Sequence, residues 1–201
     1  MNRVWAKNKK GFTIVELLIV IVVIAILAAI SIVAYNGIQE RAENTKTTSA
    51  VSAYVKAFKQ YKILHGDYPA AGAMCLGEDY EPFTGGTVPA CRHQSSPIGQ
   101  AGNAAGRNEL KQLMGGSLPM PSKKPIVTSS NEFVGAYFYG SGYNVTLDGK
   151  PVAVIIYTYD GSECPIGPSY RSNGWPAIST SNPGPYASAG SGERCLVALP
   201  L

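Results

Sequence analysis

A single carboxylate, Glu16, stands at the edge of a long apolar run, five residues after Gly11. From Leu17 to Gln39 the chain has no charged residue, so this segment of 23 residues is long enough to cross a membrane as a helix. An ionised carboxylate beside lipid is costly, and an ionisable residue at such a place is a functional hypothesis by default. A cut after Gly11 would expose a new amino terminus at Phe12. We therefore predict that Glu16 pairs with a processed amino terminus.

Two ordinary kinds of apolar segment are the alternatives: a secretory signal peptide and a plain membrane anchor. A secretory signal has a shorter apolar core that ends in small residues at the cleavage site. Ala28-Ala29-Ile30-Ser31 fits that pattern weakly, because the apolar run continues through Ala34. A plain anchor requires neither the Gly11-Phe12 pair nor Glu16, which would then only extend towards the membrane surface.

The segment Lys9-Lys10-Gly11-Phe12-Thr13-Ile14-Val15-Glu16 resembles the start of type IV pilins and their pseudopilin relatives. The resemblance is specific over residues 7–35 and only architectural over residues 66–201. It implies that a prepilin peptidase cuts after Gly11 and methylates the new terminus at Phe12. It also implies that Glu16 neutralises the amino terminus of a neighbouring subunit during assembly.

The function that this resemblance implies is structural rather than enzymatic. A precursor in the cytoplasmic membrane, with its amino terminus inside, would assemble with identical or related subunits into a helical filament on the cell surface. The pilus assembly machinery would be a further partner, and such filaments serve adhesion, twitching motility or DNA uptake. The alternatives are a pseudopilin of a type II secretion-like system and a membrane-anchored binding domain that never polymerises.

Two positions depart from the pattern of many major pilins, which have a glycine and a proline in the apolar helix. Here those positions hold Ala25 and Val33. Proline interrupts the hydrogen bonds of a helix and glycine weakens it. We therefore expect a more continuous helix, and a minor pilin or pseudopilin remains open. Tyr35 stands where the family usually has a tyrosine, and Gly37 is the one weak point left nearby.

The charge of the 201-residue chain is concentrated at its start. Four of the 17 basic side chains and none of the 13 acidic ones lie in residues 1–11, so the remainder has no net side-chain charge. A basic amino-terminal flank is typical of a cytoplasmic amino end, with the following domain outside. The formal charge of +4 therefore does not indicate a nucleic-acid partner.

Four cysteines, all on the predicted outer side, indicate disulfides, and four cysteines allow three pairings. We favour Cys75–Cys91 and Cys164–Cys195, because each would close a loop that is rich in glycine and proline. Zinc is the rival reading, but the chain has no C-x-x-C pair and only His93 lies near a cysteine.

Other candidate sites are weaker, and we predict no catalytic site, cofactor or metal. His65 and His93 are far apart and have no nucleophile motif around them. Glu78, Asp79 and Glu81 would suit calcium, but their spacing is not that of an EF-hand, and a solvated loop is the simpler reading. Predicted strands contain five tyrosines, and we expect most of them to pack against the helix, although a surface set would bind a ligand or stack on DNA: Tyr137, Tyr139, Tyr143, Tyr157 and Tyr159.

The predicted fold class is α+β, with a long amino-terminal helix packed on a small antiparallel β-sheet with disulfide-closed loops. Residues 12–64 predict the helix, with a stop at Gly66 and Pro69. Its later part has an apolar stripe at Val51, Tyr54, Val55, Phe58 and Tyr61. Strands are predicted at 134–139, 143–147, 152–159 and 195–199, with a hairpin at Asp148-Gly149 and a short helix at 107–114. The sequon Asn144-Val145-Thr146 falls in one of these strands, so we give it little weight.

The expected organisation has five parts. They are a leader (1–11), an apolar membrane or filament-core helix (12–39), an amphipathic helix packed on the globular head (40–65), a loop-rich αβ region (66–132) and an antiparallel sheet with a disulfide-bounded carboxyl-terminal region (133–201).

Overall fold

The computed structural model separates the chain into two compact units, Met1–Arg41 and Ala42–Leu201. The structure describes residues 11–69, 72–82, 87–93, 98–99, 104–123, 125–127, 132–160, 164–166, 170–172, 177–183, 186–187 and 193–201. Its helices and strands, in chain order, are α1 (Ile14–His65), β1 (Ala73–Leu76), β2 (Ala90–His93), β3 (Ile98–Gly99), α2 (Ala104–Leu113), β4 (Pro125–Val127), β5 (Glu132–Val134), β6 (Ala136–Tyr139), β7 (Thr146–Leu147), β8 (Lys150–Tyr159), β9 (Tyr170–Ser172), β10 (Ala177–Pro183), β11 (Tyr186–Ala187) and β12 (Glu193–Pro200).

The first unit contains the apolar part of α1. Every side chain from Ile14 to Arg41 whose exposure the structure describes is exposed. The hydroxyl of Ser31 donates to the carbonyl of Leu27 at 2.7 Å, which satisfies this polar group within the helix itself. An apolar segment with all its backbone hydrogen bonds made internally is the form of chain that lipid tolerates.

The second unit contains the amphipathic part of α1, as the apolar stripe predicts. Val51, Tyr54 and Phe58 are completely buried, and they pack on one face of the larger β-sheet. Helix α1 ends at His65 because Gly66 adopts a left-handed φ of 83° and donates its N–H to the carbonyl of Lys62 at 2.8 Å. Glycine reaches this conformation at little cost, so the predicted stop at Gly66 is confirmed.

The larger sheet is built on β8, which has antiparallel neighbours on both sides. Strand β6 pairs with one side of β8 and in turn with β1, while β12 pairs with the other side over eight residues. Strand β7 joins β8 through the hairpin at Asp148-Gly149, whose φ values of 47° and 77° suit the tight turn that was predicted. The sheet then extends from β7 through β10 to β9, and β11 pairs with β12.

Alternate side chains of β8 reach two different cores. Ala153, Ile155 and Tyr157 lie in the cluster that includes the α1 stripe. Val152, Val154 and Ile156 lie in a second cluster on the opposite face of the sheet. Side chains alternate between the two faces of a strand. Both faces of β8 are buried, because helix α1 covers one face and a small sheet covers the other.

That small sheet was not predicted. It has the strand order β3–β2–β5–β4, all antiparallel, in a region that the sequence indicates as loop. Each strand has only two to four residues, too short for an alternating pattern to be recognised. Its Phe133, together with Cys91, closes the second core.

The strand predictions at 134–139 and 143–147 were each too long. Gly135, with φ of 69°, interrupts the first and separates β5 from β6. Ser141–Tyr143 form a 3₁₀ turn, so only Thr146–Leu147 of the second is a strand. Asn144, predicted to lie in that strand, is an exposed turn residue with φ of 50°. Strands β9, β10 and β11 lie where the sequence indicated loop, because that prediction followed prolines rather than pairing partners.

The two disulfides of the structure join Cys75 to Cys91 and Cys164 to Cys195, the pairings that the sequence analysis favours. Cys75 and Cys91 are completely buried, whereas Cys164 is partly exposed. In the chain-entropy account, loops of this size contribute about 3–4 kcal/mol each.

This difference in burial predicts the order of reduction. Under mild reductant, Cys164 and Cys195 should become available for alkylation before Cys75 and Cys91, because a reductant must reach the sulfur that it attacks. Timed alkylation with peptide mapping measures the order, and a non-reducing map gives the starting pairs. Earlier labelling of Cys75 and Cys91, or crossed pairs in the starting map, would contradict the assignment.

Candidate functional site

Glu16, one of the predicted functional residues, forms a reciprocal cap with Thr13 at the start of α1. The N–H and the hydroxyl of Thr13 both donate to Oε2 of Glu16 at 2.8 Å. In return, the N–H of Glu16 donates to the Thr13 hydroxyl at 3.2 Å. This is a capping box, in which a threonine and a glutamate three residues later satisfy the free N–H groups at a helix start.

Thr13 is a residue of this site that the sequence analysis did not single out, although the signal was present. The pattern T-x-x-E just before an apolar run is the capping-box signature. Its consequence is that the Glu16 side chain is held back over the helix terminus. A carboxylate there also lies near the positive end of the helix dipole, which favours its charged form electrostatically.

Gly11 and Phe12 precede the helix and are both exposed. The side chain of Phe12 is 85% exposed, and the position of a Cβ atom at Gly11 has no heavy atom within 4 Å. The peptide bond between them is therefore unobstructed by the described part of the chain. A peptidase that cuts the chain after Gly11 would need this accessibility.

The helix behind this site has apolar surface on every side. Consecutive residues such as Ile19, Val20, Ile21 and Val22 are each 47–56% exposed, and consecutive residues of a helix point in different directions. One helix of the described chain, α1, is long and apolar enough to cross a membrane. Such a surface requires lipid or other apolar helices around it.

Insertion into a membrane remains favourable in spite of Glu16. Thirteen Leu, Ile and Val side chains lie between Leu17 and Val33. At about 0.3–0.6 kcal/mol each, they favour insertion by roughly 4–8 kcal/mol. An ionised acidic residue costs about 2.5–3.5 kcal/mol even at the centre of such a helix. The apolar run therefore outweighs the carboxylate at its edge.

The three acidic residues of the Cys75–Cys91 loop have different surroundings. Glu78 is paired with the ammonium of Lys111 on α2, and this hydrogen bond lowers the pKa of the Glu78 carboxyl. Asp79 and Glu81 are exposed. Within the described residues there is no group of three or more side chains suited to a metal ion.

Most of the candidate tyrosines are packing residues, but not all pack where the sequence analysis expected. Tyr157 faces the α1 cluster, whereas Tyr137 and Tyr139 lie on the opposite face, against the small sheet. Tyr159 also packs on the α1 cluster, so two of the five lie on the helix side. The expectation that most of them pack on the helix was wrong, because neighbouring strand positions alternate between faces. Tyr143 is 39% exposed and contacts Tyr139 edge to face, with ring centroids 4.6 Å apart.

Tyr80 is a second residue that the sequence analysis missed. Its buried hydroxyl donates to the carbonyl of Leu76 at 2.7 Å and accepts from the N–H of Ala136 at 3.3 Å. Burial raises the pKa of this hydroxyl well above its usual range. No sequence signal marks it, since its partners are backbone groups and one of them, Ala136, is 56 residues further along the chain.

The two histidines do not form a shared site in the part of the chain described. His65 stacks on Tyr61 with ring centroids 4.3 Å apart, and its Nε2 lies 3.8 Å from a carboxylate oxygen of Glu109 on α2. This contact joins the end of α1 to α2. The side chain of His93, on β2, lies outside the described residues.

The family comparison matches this site. Residues 6–32 match the family model of the prokaryotic N-terminal methylation motif. This motif is the class III signal peptide of type IV pilins and pseudopilins, and it supports a pilin-like or pseudopilin-like precursor. Comparison with curated proteins and with solved structures gave no match.

The motif has consequences for processing, assembly and location. It implies processing by prepilin peptidase and assembly into pilin-type polymers. The apolar amino-terminal helix, together with the motif, fits a membrane-anchored precursor. The motif marks a structural protein of the pilin type.

Proposed function

We propose that this protein is a pilin, a structural subunit of a type IV pilus-like filament on the cell surface. Prepilin peptidase cuts it after Gly11 and methylates Phe12. Subunits then leave the membrane and polymerise through the apolar part of α1. The observation that carries this proposal is the helix start itself, where an accessible Gly11-Phe12 bond precedes a helix that is apolar on all sides and has Glu16 at its edge.

Glu16 has a specific role in this proposal. In a bundle of apolar helices the carboxylate loses water and requires a counter-charge, which the amino terminus of a neighbouring Phe12 supplies. A subunit displaced along the bundle would leave both charges unmatched. The pair therefore sets the register of assembly more than it adds net stability.

A pseudopilin of a secretion system is the second candidate, and one observation favours it. Helix α1 continues through Ala25 and Val33 without interruption, as expected from the absence of glycine and proline there. Adhesion, twitching motility and DNA uptake remain the candidate roles of a filament. Electron microscopy of sheared surface material, with mass spectrometry of its subunit, separates these classes, because long filaments of this chain exclude both a short pseudopilus and a plain anchor.

Processing gives the first test of the proposal. The mature chain should begin at N-methylated Phe12, and Gly11→Leu should block the cut, because a side chain at that position fills space that the peptidase needs. Mass spectrometry of the amino-terminal peptide measures both. Gly37→Leu is the matched control, since a Cβ at Gly37 also meets no heavy atom within 4 Å. Filaments whose subunits still begin at Met1 would contradict this prediction.

A further inference from the structure

Charged residues of opposite sign occupy two separate surfaces of the second unit. From Asn44 to Gly66 the chain has four lysines and no acidic residue. The next segment, from Asp67 to Ala90, has four acidic residues and no lysine or arginine. We propose that these surfaces bind each other between two copies of this chain, with the acidic loop of one copy on the lysine face of α1 of the next.

The lysine face consists of Lys56, Lys59 and Ile63. These positions are three and seven residues apart, so they share one side of the helix. Both lysines are exposed, and Ile63 is 82% exposed. Among the described residues neither lysine makes an ion pair. The exposed isoleucine, one turn after Lys59, supplies an apolar contact beside the charged side chains.

The acidic loop has the complementary composition. It consists of Asp79, Glu81 and Val88, all inside the loop that Cys75–Cys91 closes. Val88 is 58% exposed, and the neighbouring Pro89 bridges to Pro82, which holds Val88 near Glu81. In the described part of the chain neither Asp79 nor Glu81 makes an ion pair. The loop therefore offers two carboxylates and an apolar side chain.

Charged groups beside each surface are engaged elsewhere within the described chain. The loop is attached to α2, where Lys111 pairs with Glu78 and Arg107 donates to the carbonyl of Gly77. Beside the lysine face, Lys62 precedes Ile63 on α1, and its ammonium donates to the carbonyl of Pro200 at the end of β12. The two lysines of the lysine face and the two carboxylates of the acidic loop are therefore available to bind another molecule.

A contact between two different patches of identical chains has a geometric consequence. The pair of copies still presents one free patch of each kind, so the contact repeats and produces either a ring or a helical filament. This inference rests on the proposed polymerisation and names a contact between the globular units that would accompany it. It adds to the pair of Glu16 and the amino terminus, which lies in the first unit.

Cross-linking from the lysine face tests the contact directly. The full chain with p-benzoylphenylalanine in place of Ile63 should form a dimer on illumination of cells, and its cross-linked peptide should lie within residues 76–91. The same replacement at Leu64, 64% exposed and on another side of α1, is the control and should not give that peptide. A cross-link to any other segment, or no dimer in cells that carry filaments, would overturn the inference.

Charge reversal tests the electrostatic part. Lys56→Glu with Lys59→Glu should lower the sheared filament per cell roughly tenfold, because like charges facing each other across an interface are strongly unfavourable. Asp79→Lys with Glu81→Lys should do the same, and the four changes together should restore much of the yield. Lys46→Glu with Lys150→Glu, both exposed lysines, is the matched control and should change little.

The outcomes separate this inference from the proposed function. If cells carry no filaments but still give the cross-link between position 63 and the acidic loop, the proposed filament is refuted and the contact is supported. Normal filaments in both reversal variants would refute the contact alone. If only the lysine reversal has an effect, and it abolishes DNA binding by the filaments, the lysine face serves an anionic polymer and the inference is wrong.

Discussion

Replacing Glu16 by glutamine should leave the precursor inserted and cut, but should reduce filaments on the cell to a small fraction of the normal number. Glutamine has nearly the shape of glutamate, and it also serves in a capping box with Thr13. The helix start should therefore survive, while the charge is lost. A neighbouring amino terminus at Phe12 would then be buried without a partner, at a cost of about 3–5 kcal/mol.

Counting filaments at matched subunit levels measures this effect. Glu40→Gln is the control, because Glu40 is an exposed carboxylate on the same helix outside the apolar run. Mature subunits should accumulate in the membrane of the Glu16 variant. If Glu16 only extends to the membrane surface, removing its charge should be harmless, and normal filament numbers would show this.

Phe58→Ala should destabilise the second unit more than any surface change. The Phe58 side chain is completely buried and stacks on Phe138, with ring centroids 4.1 Å apart. It also meets the ring of Tyr68 edge to face, at 6.5 Å. Truncating a buried phenylalanine typically costs about 3–5 kcal/mol, a large part of the 5–15 kcal/mol that stabilises a domain.

Urea unfolding of the detergent-solubilised chain, followed by near-ultraviolet circular dichroism of the tyrosines, measures the loss. Leu64→Ala is the matched control on the same helix, since Leu64 is 64% exposed and should change stability by less than about 0.5 kcal/mol. A loss below about 1 kcal/mol for Phe58→Ala would mean that α1 does not pack on the sheet as described.

The sequence predicts those parts of the fold that depend on local patterns. The apolar stripe around Tyr54 and Phe58 repeats at helical spacing, the Asp148-Gly149 turn is a two-residue signal, and Gly66 ends the helix. Each can be recognised within a few residues. The long helix and the hairpin were therefore predicted correctly.

The parts that were missed depend on contacts between distant segments. Strand β2 exists because Arg92 and His93 pair with Phe133 and Glu132, forty residues later. The hydroxyl of Tyr80 is held by Leu76 and by Ala136 of the neighbouring strand, which no short window of sequence contains together. The candidate site was more predictable than the small sheet, since Gly11, Phe12 and Glu16 lie within six residues; only Thr13 was overlooked.

The two parts of α1 differ in what surrounds their apolar side chains. Those of the first unit have no partner within the described chain, whereas those of the second unit are enclosed by the sheet. Moving the first part from lipid to a bundle of like helices replaces its surroundings and leaves the enclosed core untouched. Disassembly of a polymer should therefore return folded monomers to the bilayer. The bilayer would then store subunits, and a new round of growth would need neither synthesis nor refolding.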